Sequence, residues 1–163
     1  MTTDQLTTAV SGAAAADIAA LLDAVTPTVF ARLVKRSSDR QIRDLMGSDL
    51  RTPILDRIMT GMVDSFCPER ARGVQAVVHW KVLDRPGGGY DHFEQVVRDG
   101  TCVATNQPQH EPDVALKAKP VDFANIICGF ANTKLAVARG KLKISGDLNL
   151  ARKVDTWFDK PQL

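Results

Sequence analysis

Apolar residues recur with a helical period of about 3.6 in the first third of the chain, with a period of 2 in the middle, and helically again towards the end. Residues 1 to 12 are polar and read as loose. From Ala13 to about Val25, the residues Ile18, Leu21, Leu22 and Val25 form a helical stripe. Thr26 and Pro27 supply a cap and a first-turn proline for a helix carrying Phe30, Leu33 and Val34. Ser38 and Gln41 form a capping box for a short helix with Ile42, Leu45 and Met46, and Gly47 to Arg51 reads as a break. Thr52 and Pro53 repeat the cap-and-proline signal. The stripe that follows, Ile54, Leu55, Ile58, Met59, Met62, Val63 and Phe66, is the cleanest in the chain and is expected to lie flat on a sheet. Burying each of its larger side chains contributes about 1.5–3 kcal/mol, so core packing alone accounts for the pattern.

After Pro68 the period shortens. Val74, Ala76, Val78, Trp80 and Val82 share one face of a strand, and Gln75, Val77, His79, Lys81 and Leu83 share the other. Neither face is wholly polar, which suits a central strand. Pro86 and three glycines then make a hairpin into Tyr90 to Arg98, where Phe93, Gln95 and Val97 share a face. Asp99-Gly100 is a strong hairpin signal leading to a third strand, Thr101 to Thr105. Val114, Leu116 and Ala118 alternate in a fourth. A helix from Pro120 to Cys128 stops at Gly129, and a short helix capped by Asn132 stops at Gly140. Leu142 and Ile144 alternate in a fifth strand, Gly146 turns the chain, and Asp147 caps a helix with Leu150, Ala151, Val154, Trp157 and Phe158 on its apolar side. Helices and hairpin-linked strands in separate blocks indicate an α+β layer structure.

The length of 163 residues suits one domain with a substantial core. A formal charge of +2 is far from the basic excess of a nucleic-acid surface. Cys67, Cys102 and Cys128 are too widely spaced for a metal knuckle or a CxxC motif, and read as reduced thiols. The start of the chain lacks the pattern of a signal peptide, no window approaches a membrane span, and the ending Pro161-Gln162-Leu163 departs from the Ser-Lys-Leu peroxisomal pattern, so the expected location is cytoplasmic. Catalytic signals are thin. His79, His92 and His110 lack close ligand spacing and give no reason to converge on zinc, no GxSxG elbow is present, and Gly87 to Gly89 lack the Lys-Ser/Thr ending and helix of a phosphate loop. Asp56, Asp64 and Glu69 read as a solvated helix side, and Lys141 and Lys143 as a solvated strand face.

Several features in order resemble the sterol carrier protein 2 (SCP2) lipid-binding domain family over about Ile54 to Phe158. They are Phe66, Pro68, Glu69, Ala71 and Gly73, then Asp99-Gly100, Pro112-Asp113, the Gly129 to Asn132 turn, Gly140-Lys141-Leu142-Lys143-Ile144 and Gly146-Asp147. The resemblance implies a five-stranded, mostly antiparallel sheet covered by helices around an apolar tunnel, spanning residues 52–160, with residues 1–51 as an added N-terminal helical extension packed on it. It implies binding or intracellular transfer of an apolar ligand, such as a sterol, fatty acid or fatty acyl chain, with no catalytic residue, metal, cofactor, nucleic acid or stable membrane insertion. Carried onto this chain, the lining comes from Ile58, Met62 and Phe66 on the long helix and from Trp80, Phe93 and Val97 on the sheet. Ile126, Ile127, Phe130 and Leu135 supply the next wall, and Leu150, Val154, Trp157 and Phe158 close it.

Two departures from the family pattern stand out. Lys119-Pro120 replaces a capping residue before the helix after strand four, and residues 1–51 lie outside the common domain. Three roles stay open for that extension: packing on the tunnel mouth, forming a homodimer surface, or narrowing the cavity. The alternative function is a cavity-based enzyme or accessory protein of secondary metabolism that holds a polycyclic or polyketide-like intermediate.

Overall fold

A computed structural model describes residues 2–11 and 20–163. Part of the Ala13 to Val25 stripe, Ile18 included, lies outside the described residues; residues 20–23 are helical. The N-terminal helices are α1 (Thr3–Ser11), α2 (Pro27–Arg36), α3 (Asp39–Met46) and α4 (Arg51–Asp64). The strands β1 (Ala76–Val82), β2 (Asp91–Arg98), β3 (Thr101–Thr105) and β4 (Val114–Ala118) follow. Helices α5 (Pro120–Ile127) and α6 (Thr133–Ala138) precede β5 (Leu142–Gly146), and α7 (Leu148–Val154) runs into a 3₁₀ turn, Asp155–Trp157.

The start of the chain is ordered, contrary to the expectation of a loose segment. Thr2 and Gln5 cap α1 reciprocally, Gln41 Nε2 donates to Asp4 Oδ2 at 3.0 Å, and Leu6 is buried as α1 packs on α3. A single apolar side chain inserted into a core outweighed the polar composition around it. The caps Thr26, Ser38, Asn132 and Asp147 all accept the expected backbone bonds, and Lys119 caps α5 without a side-chain bond.

The Thr52 cap is not formed. Helix α4 begins two residues earlier than that cap implies, at Arg51, with Leu50 in the capping position. The reason is Arg51 itself, whose buried guanidinium donates to the carbonyls of Met46, Val82, Leu83 and Asp84 and pairs with Asp91 at 2.7 Å. A buried charge with five partners ties the N-terminal helices to the end of the sheet.

The sheet order is β3-β2-β1-β4-β5, with β1 and β4 parallel and the other pairs antiparallel. The β2–β3 hairpin turns through Asp99 and Gly100, both at positive φ (53° and 73°), as a tight two-residue turn requires. Gly146 has φ 95°, and an added Cβ would lie 2.4 Å from the Asp113 carbonyl oxygen, so only glycine lets β5 close against β4 there. Register separates the two faces. Phe93, Trp80, Leu116 and Ile144 form one row across four strands, facing the helices. The adjacent row, His92, Lys81, Lys117 and Lys143, faces the other way.

Candidate functional site: the cavity between sheet and helices

On the inner face the helices do not close completely on the sheet. Between them lies an apolar cavity, with about 90 Å³ open to the centre of a water-sized sphere. Ile58 and Met62 of α4, Trp80 of β1, Ile126 and Ile127 of α5, Val154 of α7 and Phe158 line it. Trp80 is fixed from two sides. Its Nε1 donates to the buried Gln95 Oε1 at 2.8 Å, and its ring meets Phe123 edge-on at 5.7 Å between centroids. The Gln95 amide is thereby satisfied without lining the cavity.

The other expected lining residues lie elsewhere. Phe93, Val97 and Trp157 are buried in the core beside the cavity, and Leu150 is half-buried outside its wall. Phe66 leans on Phe158 instead, its ring 5.8 Å away and its backbone paired in a short antiparallel bridge. Phe130 and Leu135 are a correction: they are 41% and 52% exposed and line no part of the cavity. For Leu135 the physical reason is α6, which sits against β5 on Ala136, so its larger apolar residues face solvent; Phe130 lies in the turn before that helix.

Sequence reasoning missed the opposite wall. Leu6, Leu22, Val25, Phe30 and Leu33, all from the N-terminal third, line the cavity together with Leu116 and Leu142 of the sheet. The stripes carrying Leu22, Val25, Phe30 and Leu33 were legible, though Leu6 was not, and nothing local announces which surface a stripe covers. Of the roles left open for the extension, the described residues turn their apolar faces to the cavity wall.

Polar groups gather at the rim. Arg57 donates Nε to the Val25 carbonyl at 3.2 Å, and Lys160 pairs with Asp155; Thr26, Ser65, Thr133 and Asp159 also border the space. Cys128, in the wall, is free, and burial pushes its thiol up to about 12 despite the opposing charge of Lys160. Such a thiol is inert as a nucleophile at neutral pH. Cys102, also buried, rises to about 11.

A second polar centre, not expected from the residue pattern, lies on the outer face. Two histidines, His79 and His110, converge on Glu94, which is 1% exposed, and the third, His92, stands behind His79. His79 Nε2 lies 3.1 Å from Glu94 Oε2, His110 Nδ1 3.0 Å from Oε1, and the backbone N–H groups of Gln109 and His110 donate to Oε2. His92 Nε2 is 2.8 Å from His79 Nδ1. With His79 donating Nε2–H to the carboxylate, its Nδ1 accepts from His92. Burial pushes the Glu94 carboxyl up, but the bonds from His110, His79 and Gln109 outweigh it and bring it down to about 2. Burial, with His79 and Lys81 nearby, lowers His92 below the usual imidazole range. Among the described residues no group of His, Cys, Asp and Glu is arranged to hold a metal. The cluster latches the loop 106–112 across the sheet. Strand pairing puts His79 beside Glu94, but the return of His110 through a loop has no local signal.

The inner site is thus that of a cavity-bearing α+β domain, a mixed five-stranded sheet roofed by helices. The chain belongs to the SCP-2 sterol transfer family, whose profile matches residues 55–159. Hydroxysteroid dehydrogenase-like protein 2 of Rattus norvegicus is 30% identical over 92 residues, 56% of this chain. The chain spans only 17% of that protein's length. Palmitated SCP2L2 from Aedes aegypti, 20% identical, matches 67% of this chain and 95% of its own with a TM-score of 0.50. The stereoselective inverting sec-alkylsulfatase of a Pseudomonas species is 13% identical, with a TM-score of 0.56 over 98% of this chain and 30% of the enzyme. That match takes in the helices ahead of the family profile.

Proposed function

We propose that this chain binds an apolar ligand with a long acyl or sterol-like body and carries it without chemical change. The observation that carries the reading is the cavity: a largely apolar wall of core side chains, with a cation-bearing rim. Removing a long hydrocarbon from water supplies the driving force at roughly 25 cal/mol per Å² buried, and a few rim groups suffice to orient a head group. Family membership supports the same reading, as does the Aedes aegypti relative described as palmitated.

The space free at rest is small beside the roughly 300–1,000 Å³ of typical small-molecule sites. Ligand entry therefore means parting the walls. The wall we infer to move is formed by Leu6, Leu22, Phe30 and Leu33, which lie outside the residues that the family profile matches. Native mass spectrometry of protein purified without detergent and mixed with palmitate or cholesterol tests the proposal. A 1:1 adduct with either, of unaltered ligand mass, is expected. No adduct with either ligand, or a ligand recovered with a changed mass, would overturn it.

A further inference from the structure

Seating a hydrocarbon in the cavity strips water from its border, so a charged group there must have a partner or be desolvated at a cost. The charged residues that border it are Arg57, Asp155, Asp159 and Lys160. Three of them are already matched. Lys160 pairs with Asp155, and Asp159 pairs with Arg70, which lies outside the lining. The rim hydroxyls are engaged locally as well. Thr26 Oγ1 accepts from the Val29 N–H at 3.2 Å, and Ser65 Oγ donates to the Gly61 carbonyl at 2.8 Å. Arg57 alone among these charges has no carboxylate partner among the described residues.

Its placement adds a second observation. Arg57 stands on the apolar side of α4, where Ile54, Ile58, Gly61 and Met62 recur around it at helical spacing and line the same cavity. The side chain is half-buried. Its Nε–H is used by the Val25 carbonyl, in the turn that follows the helical residues 20–23. That bond holds the plane of the guanidinium and leaves both Nη groups without a protein acceptor. Because the side-on edge through Nε is taken, the edge left for a ligand is the end-on pair of Nη groups. Val25 precedes the residues that the family profile matches and Arg57 lies within them, so the extension orients a group of the matched domain.

We propose that Arg57, oriented by Val25, selects the head group of the cargo, and that the cavity takes single-chain carboxylates in preference to neutral alcohols and sterols. A carboxylate accepts two parallel bonds from the Nη pair and neutralises the charge that the bound chain covers. A hydroxyl satisfies one donor and leaves the cation uncompensated, so burying a neutral amphiphile against Arg57 carries a desolvation cost that an anion avoids. The sign of the preference is informative. An apolar cavity with no cation favours the neutral alcohol, because an ionised carboxylate is far harder to dehydrate. This inference rests on the proposed carrier function and narrows it.

The test is calorimetric titration of the full chain at neutral pH with laurate and with dodecanol, which share a chain length and differ in the head group. Laurate should bind more tightly by about tenfold or more. Arg57→Gln should reverse the order, and Arg57→Lys should keep only part of the preference, since an ammonium supplies the charge without the fork. The ratio of the two affinities is read on one protein at a time, so a loss of stability in a variant does not move it. Dodecanol binding as tightly as laurate in the unaltered chain would overturn this inference and leave the carrier reading standing. A laurate preference that survives in Arg57→Gln would do the same. Uptake of neither ligand would overturn the carrier reading and this inference with it.

Discussion

Two neighbouring rows of the same four strands carry opposite chemistry. Phe93, Trp80, Leu116 and Ile144 face the helices, whereas His92, Lys81, Lys117 and Lys143, one residue along each strand, face away. The inner face leaves space unfilled and satisfies its one buried amide through Trp80. The outer face carries a buried carboxylate held by hydrogen bonds. The difference assigns ligand capacity to one side and rigidity to the other. Because each side chain's face is fixed by parity along the strand, a substitution on one face should leave the property of the other intact.

The largest break in that separation comes from a charge in the inner wall. Val154→Glu should reduce uptake of a fluorescent fatty acid by about two orders of magnitude or more, since a carboxylate there must be desolvated or neutralised. Leu150→Glu, half-buried outside the wall, should cost much less, and equal losses from the two would contradict the placement of the cavity.

On the outer face, Glu94→Ala strands two histidines and two backbone N–H groups. It should lower unfolding free energy by about 3–5 kcal/mol in urea titrations while the folded fraction keeps its ligand affinity. Phe30→Ala tests the movable wall. It should cost about 3 kcal/mol in stability yet accelerate ligand entry in stopped-flow mixing, and unchanged entry would show that this wall does not gate.

The pH dependence sharpens the contrast more gently. His92 is lowered in the folded state, so its contribution to stability is present above the ordinary imidazole pKa of about 6.5 and is lost as pH falls through its folded value. Glu94, brought down from 4.5 to about 2, contributes stability that is present above its unfolded value and is lost only between those limits. Stability should therefore decline in two steps on acidification. His92→Gln should remove the first, as read from denaturation midpoints at stepped pH.

How much of this was legible in the residues follows from locality. Strand alternation placed Trp80 and Val78 on one face and His79 and Lys81 on the other, and the caps at Thr26, Ser38, Asn132 and Asp147 needed only their own next few residues. Ile58, Met62 and Ile126, which border the cavity, were expected there only through the family resemblance. What stayed hidden depends on contacts distant in sequence. Arg51 sits at a helix start and finds its acceptors more than thirty residues on. His110 reaches Glu94 across a loop, and Leu6, in a polar stretch, closes a wall whose other members follow much later. Phe130 and Leu135 were misplaced because apolar character alone does not distinguish a buried wall from a surface held out to solvent.

The most direct test of the central claim uses the two tryptophans as reporters. Trp80 lines the cavity and Trp157 is buried outside its wall. Contact quenching of tryptophan fluorescence by brominated stearate should persist in Trp157→Phe and be largely lost in Trp80→Phe. Quenching that survives loss of Trp80, or that never appears as stearate saturates the protein, would contradict a ligand seated against the inner face of the sheet.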